Sequence, residues 1–110
     1  MKQFALSIMR LNTKLLLGCL LFATLCEPAF AKLNVVATTP DLGSIAQEIG
    51  GDHIVLSVLA KPTEDPHFVD AKPSLILKLN RADVIIEGGA ELELGWLPGL
   101  LDQSRNVKLG

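Results

Sequence analysis

Of the chain's 110 residues, 49% are hydrophobic, ten are Lys or Arg, twelve are Asp or Glu, and two are cysteines. Cys19 and Cys26 both fall in the first third, so the rest of the chain contains no thiol and no disulfide. The last 79 residues keep eleven acids and seven bases, a formal charge near −4 that argues against nucleic acid as a partner.

The N-terminal stretch has the layout of a secretory leader. Lys2, Arg10 and Lys14 precede the apolar run "LLLGCLLFATLC", Leu15 to Cys26, and then "EPAFAK". A spanning helix needs roughly 20 apolar residues, and this run falls short. Ala29 and Ala31 occupy the two small-residue positions of a cleavage site, so residues 1–31 are expected to be removed as a signal peptide. "LLGC", residues 16–19, imitates a lipidation site. Only three apolar residues separate Lys14 from Cys19, however, and more apolar sequence follows the cysteine. The expected product is therefore exported across the inner membrane and free in the periplasm, without a lipid anchor.

The mature piece, residues 32–110, buries only about 60% of its unfolded surface and is marginally stable alone. "LNVVATT", 33–39, predicts a buried strand. In "TPDLGSIAQEIGG", Thr39 can cap, Pro40 suits the first helical position and Asp41 the first turn. Leu42, Ile45, Ala46 and Ile49 then repeat at helical spacing as an inward face, and Gly50-Gly51 ends the helix.

"HIVLSVLA", 53–60, predicts a second strand, followed by the loop "KPTEDPHFVDAKPS", 61–74. Pro73 starts a helix with Leu75, Ile76 and Leu79 facing inward, and "DVIIEGG", 83–89, is a third strand. In "LELGWLPGLLDQS", 92–104, Pro98-Gly99 predicts a kinked or two-part helix, and "NVKLG" reads as the start of a fourth strand. Alternating strands and helices predict the α/β class, a parallel sheet with flanking helices and right-handed crossovers.

Ligands of such sheets bind at the carboxyl ends of the strands, near a topological switch point. Thr38-Thr39, the His67 loop and Glu87-Gly88-Gly89 all leave from that edge. Imidazole is a common ligand for first-row metals, and Pro66 stiffens the backbone just before His67. Asp65 or Asp70 can hold the other ring nitrogen. One histidine is not a metal site by itself, and on spacing alone a solvated loop histidine is the plainer reading.

His53 reads as a turn-edge surface histidine. Gly88-Gly89 could admit a ligand but reads first as a turn, and Trp96 reads as a packing residue. Lys72, Lys78 and Arg81 read as a solvated helix face, and Glu91 and Glu93 as charges compensating a helix dipole. No nucleophile elbow, P-loop or dinucleotide fingerprint is present.

"VVATTPDLGSIAQEIGGDHIVLSVL", then Asp65-Pro66-His67 with Pro73-Ser74 downstream, then "LNRADVIIEGGAELELGWL", resembles the N-terminal lobe of zinc and manganese solute-binding proteins. These are the extracytoplasmic metal receptors of ABC importers. The resemblance runs from about Leu33 to the end, with the Asp-Pro-His motif as its specific part. The commoner pattern has an aromatic two residues after the histidine and a proline four after. This chain has Val69 and Ala71 there, with Phe68 as the displaced aromatic.

The resemblance implies two α/β lobes joined by a long helix, with zinc or manganese held between them and passed to a membrane permease. It implies that His67 is the first metal ligand and that further histidines and a carboxylate come from later in the chain. Residues 32–110 are then an incomplete first lobe, expected to be monomeric, with no organic cofactor and no catalysis. Two other readings are a secreted metal-dependent hydrolase using His67 with Glu64 or Asp65, and an adhesion or interaction module.

Overall fold

The computed structural model describes residues 2–23 and 29–110. These divide into two compact units, Met1–Phe30 and Ala31–Gly110. In the first, helix α1 (Lys2–Ala23) is longer than the apolar run alone, because the basic segment before that run is helical too. Among the described residues it is the one helix long and apolar enough to cross a membrane, and it lies near the N-terminus. Cys19 is exposed on it. Cys26, the end of the apolar run and Glu27 lie outside the described residues.

The second unit is built on strand β1 (Leu33–Ala37), whose Val35, Val36 and Ala37 are buried. Strand β2 (Ile54–Val58) pairs with β1 from Leu33↔Ile54 to Ala37↔Val58, and strand β3 (Val84–Ile86) pairs on the other side from Val35↔Val84 to Ala37↔Ile86. All pairing is parallel, in the order β2-β1-β3. Helix α2 (Pro40–Gly50) leads from β1 to β2, and helix α3 (Pro73–Arg81) leads from β2 past β1 to β3. Opposite directions of travel with right-handed crossovers put these two helices on opposite faces of the sheet. Successive strand residues point to opposite faces. Val36 accordingly joins Leu75, Leu79, Leu97 and Leu100 in one buried cluster, while Ala37, Leu56 and Val58 lie under α2.

Four expectations need correction. On α2 the buried residues are Gly43 and Ala46, whereas Ile45 and Ile49 are 58% and 83% exposed. The cause is close approach: a Cβ on Gly43 would lie 2.7 Å from Val58 Cγ2. The helix therefore rests its small-residue stripe on the sheet, turning the larger residues outward. Thr39 precedes α2, which begins on Pro40, but its side chain makes no capping bond.

Pro98 does not kink a helix but begins one: α4 runs Leu97–Ser104, and residues 90–96 form turns. Finally, "NVKLG" is not a strand. Asn106 Nδ2 donates to the carbonyls of Leu79 and Ala82, both at 2.7 Å, tying the tail across the C-terminal end of α3. Val107 is 92% exposed.

Candidate functional site

Sheet order reverses between β1 and β3, so the switch point lies where the loops after those strands meet. That junction is filled by a carboxylate. Glu93 is 4% exposed and accepts three hydrogen bonds: from Thr38 Oγ1 at 2.6 Å, Gly88 N at 2.6 Å and Gly89 N at 3.1 Å. Burial pushes this carboxyl's pKa up, but the bonds from Thr38, Gly88 and Gly89 outweigh it and hold the group below its ordinary value.

Sequence reasoning took Glu93 for a dipole-compensating charge and Gly88-Gly89 for a turn or a ligand approach. The structure joins them into one brace. Gly88 has little room for a side chain, since its Cβ would lie 2.8 Å from Leu92 Cδ2 and 3.2 Å from Glu93 Oε1. Gly89 has φ +71°, a left-handed conformation that glycine adopts without strain. A sequence signal did exist, in the form of a lone acid inside the apolar stretch "LELGWL".

The loop after β2 carries His67. Asp65 Oδ1 accepts from the His67 backbone N at 2.9 Å and lies 2.8 Å from His67 Nδ1. Bonding to the His67 backbone, then to its ring, holds the Asp65 carboxyl below its ordinary value, so at neutral pH Asp65 is an acceptor only. Nδ1 must then carry the proton, so in the neutral ring the free lone pair is on Nε2. The imidazole side chain is 60% exposed. This settles the choice between the two carboxylates in favour of Asp65. Glu64 is engaged locally too, its Oε2 accepting from Lys61 N at 3.1 Å.

Trp96 is 7% exposed and donates from Nε1 to the Pro66 carbonyl at 2.8 Å, so it is a packing residue with one polar contact to this loop. Val69 is buried in the core beside it, whereas Phe68 is 78% exposed with its ring centroid 6.3 Å from that of His67. The three loops border a cleft of ≈ 400 Å³ lined by Thr39, Pro40, Asp41, Lys61, Pro66 and Gly88, among others. His53 precedes β2 and therefore lies at the opposite, amino end of the sheet. Among the described residues no group of three or more His, Cys, Asp or Glu is placed to hold a metal ion. The edge thus presents a single imidazole.

The family model described as "zinc-uptake complex component A periplasmic" matches residues 35–109, which include all of the sheet but the first two residues of β1, the His67 loop and the Glu93 brace. The chain belongs to this family. Among curated relatives, a manganese ABC transporter substrate-binding lipoprotein, PsaA of Streptococcus pneumoniae, is 33% identical over 98% of this chain and 36% of its own length. The metal ABC transporter substrate-binding lipoprotein SloC of Streptococcus mutans is 40% identical over 74% of this chain and 28% of its own.

A crystal structure of ZnuA superposes with a TM-score of 0.64 at 29% identity, covering 72% of this chain and 31% of that one. Zn(II)-bound AdcA from Streptococcus pneumoniae gives 0.59 at 25% identity. The chain spans about a third, or less, of the length of these curated relatives. The periplasmic description of the matched family agrees with an exported protein.

Proposed function

We propose that this chain is the first lobe of an extracytoplasmic receptor for a divalent metal, zinc or manganese, which supplies an ABC importer, and that His67 Nε2 is its metal ligand. One observation carries the reading: Asp65 fixes the proton on Nδ1 and leaves Nε2 open at the carboxyl edge of a parallel sheet. Carboxylate–histidine pairs orient metal-bound imidazoles in the same way and make them better donors. Support comes from relatives named as manganese-binding or metal ABC transporter lipoproteins, and from a neighbour solved with Zn(II). One imidazole satisfies a quarter of zinc's usual four-coordinate shell, so the 110-residue chain alone binds zinc weakly.

The test is a zinc titration of the chain followed by imidazole nitrogen NMR. His67 Nε2 should shift on zinc addition while His53 stays still, and His67→Ala should abolish the response. A zinc response that survives His67→Ala, or none at all at millimolar zinc, would overturn the reading. We further propose that the leader is removed after Ala31 and that the exported protein carries no lipid. The lipoprotein names of the relatives supply the competing outcome. An exported product whose mass begins at Lys32 supports cleavage after Ala31, and one beginning at an acylated Cys19 refutes it.

A further inference from the structure

We propose that Trp96 is a positioning residue for His67, acting through the Pro66 carbonyl; this rests on His67 being the metal ligand. The loop between β2 and α3 contains no helix or strand of its own. Its hydrogen bonds are mostly internal: Glu64 N to Lys61 O at 3.0 Å, Phe68 N to Asp65 O at 2.9 Å and His67 N to Asp65 Oδ1 at 2.9 Å. Such bonds give the loop a shape but move with it, and they do not locate it against the sheet. Val69 anchors one end by burial. At its β2 end Leu59 N and Ala60 N donate to Ala37 O and Thr38 O at 3.0 and 2.9 Å. From Lys61 to Phe68, however, the polar tie to the rest of the lobe is the indole bond from Trp96 Nε1 to Pro66 O, which spans 30 residues of sequence.

That bond falls on a particular peptide group. A peptide unit is planar, so its C=O and N–H cannot be oriented separately. In the Pro66–His67 unit both are pinned, the oxygen by the Trp96 indole and the N–H by Asp65. The position of the His67 Cα, which lies in that plane, is then set, and the same Asp65 oxygen fixes the ring. The indole is itself buried. It packs in the core with Leu97 and Leu100, and Trp96 N donates at 3.1 Å to the carbonyl of Glu93, whose side chain bonds Thr38 next to the central strand. An exposed ligand is thus referenced to β1 through a buried aromatic. Each link in that path is a single named bond.

The chain has one tryptophan, so global replacement by benzothienylalanine exchanges this indole N–H for sulfur at nearly constant shape. Trp96→Phe is the genetic counterpart. Both are compared with wild type by zinc titration at His67 and by amide hydrogen exchange of residues 61–68. Ala46→Gly, in α2 and outside the cluster that holds Trp96 and Val69, serves as a control that destabilises the lobe without touching the indole or the loop. The expected result is a zinc Kd raised about tenfold, with faster exchange of the His67 and Phe68 amides, in both Trp96 replacements but not in Ala46→Gly.

Unchanged Kd and exchange in the benzothienylalanine protein overturns the inference, as does an equal rise in Kd for Ala46→Gly. The reading of His67 as ligand fails separately, by a zinc response that persists in His67→Ala. The exchange rates then decide whether Trp96 still sets the loop.

Discussion

Two loops leave the same edge of the sheet and use carboxylates in opposite ways. After β3, Glu93 is buried and takes three donors from backbone and side chain across the switch point. After β2, Asp65 lies in solvent and takes both its bonds from His67 two residues away. The first carboxylate is taken up by architecture, buried with three donors on its two oxygens. The second holds a ring so that a free nitrogen faces outward. Burial and the number of donors, rather than residue type, separate the structural acid from the one proposed to orient a metal ligand.

The contrast breaks most visibly at Glu93. Glu93→Ala leaves the N–H groups of Gly88 and Gly89 and the Thr38 hydroxyl without their acceptor, at about 1–3 kcal/mol for each group that water cannot reach. Unfolding in urea should lose about 3 kcal/mol or more, enough to unfold a marginal lobe. Thr38→Val removes one of the three donors at nearly constant shape and should cost about 1–2 kcal/mol, read from the same midpoint.

The pH dependence has a definite sign. Glu93 has a folded-state pKa below its ordinary 4.5, so its stabilisation is complete above that value and is lost as pH falls through the lowered one. Thermal unfolding across pH 2 to 6 should therefore show an acid limb below the ordinary glutamate value of 4.5, and Glu93→Gln should flatten it. Asp65→Asn is the smallest change in stability, under about 0.5 kcal/mol. It should nonetheless weaken the zinc response of His67 about tenfold, because the amide no longer dictates which ring nitrogen bears the proton. If Asp65→Asn unfolded the lobe while Glu93→Ala did not, the two loops would have been assigned the wrong way round.

The parts of this molecule that sequence could disclose are those governed by neighbours along the chain. β-Branched runs marked the strands, prolines marked the starts of α2 and α3, and Asp65-Pro66-His67 is a motif within three residues. Contacts between distant segments were not legible. Thr38 and Glu93 are 55 residues apart, and Trp96 and Pro66 are 30 apart. The helical stripe of Leu42, Ile45 and Ile49 misled because amphipathic spacing locates an apolar face without saying that Gly43 permits a closer seat on Val58. At the tail, apolar alternation in "NVKLG" was overridden by one amide, Asn106, that satisfies two helix-end carbonyls.

Placing β1 in the middle of the sheet has a consequence for how the polypeptide matures. The central strand is made first of the three, yet one of its flanks closes only with residues such as Asp83, 49 positions later. Until the ribosome or the export channel has released that partner, a short greasy β-prone segment stands open on one side, which is the kind of stretch that invites aggregation. Nascent copies of this lobe should accordingly need escort during translocation far more than the finished lobe needs it afterwards.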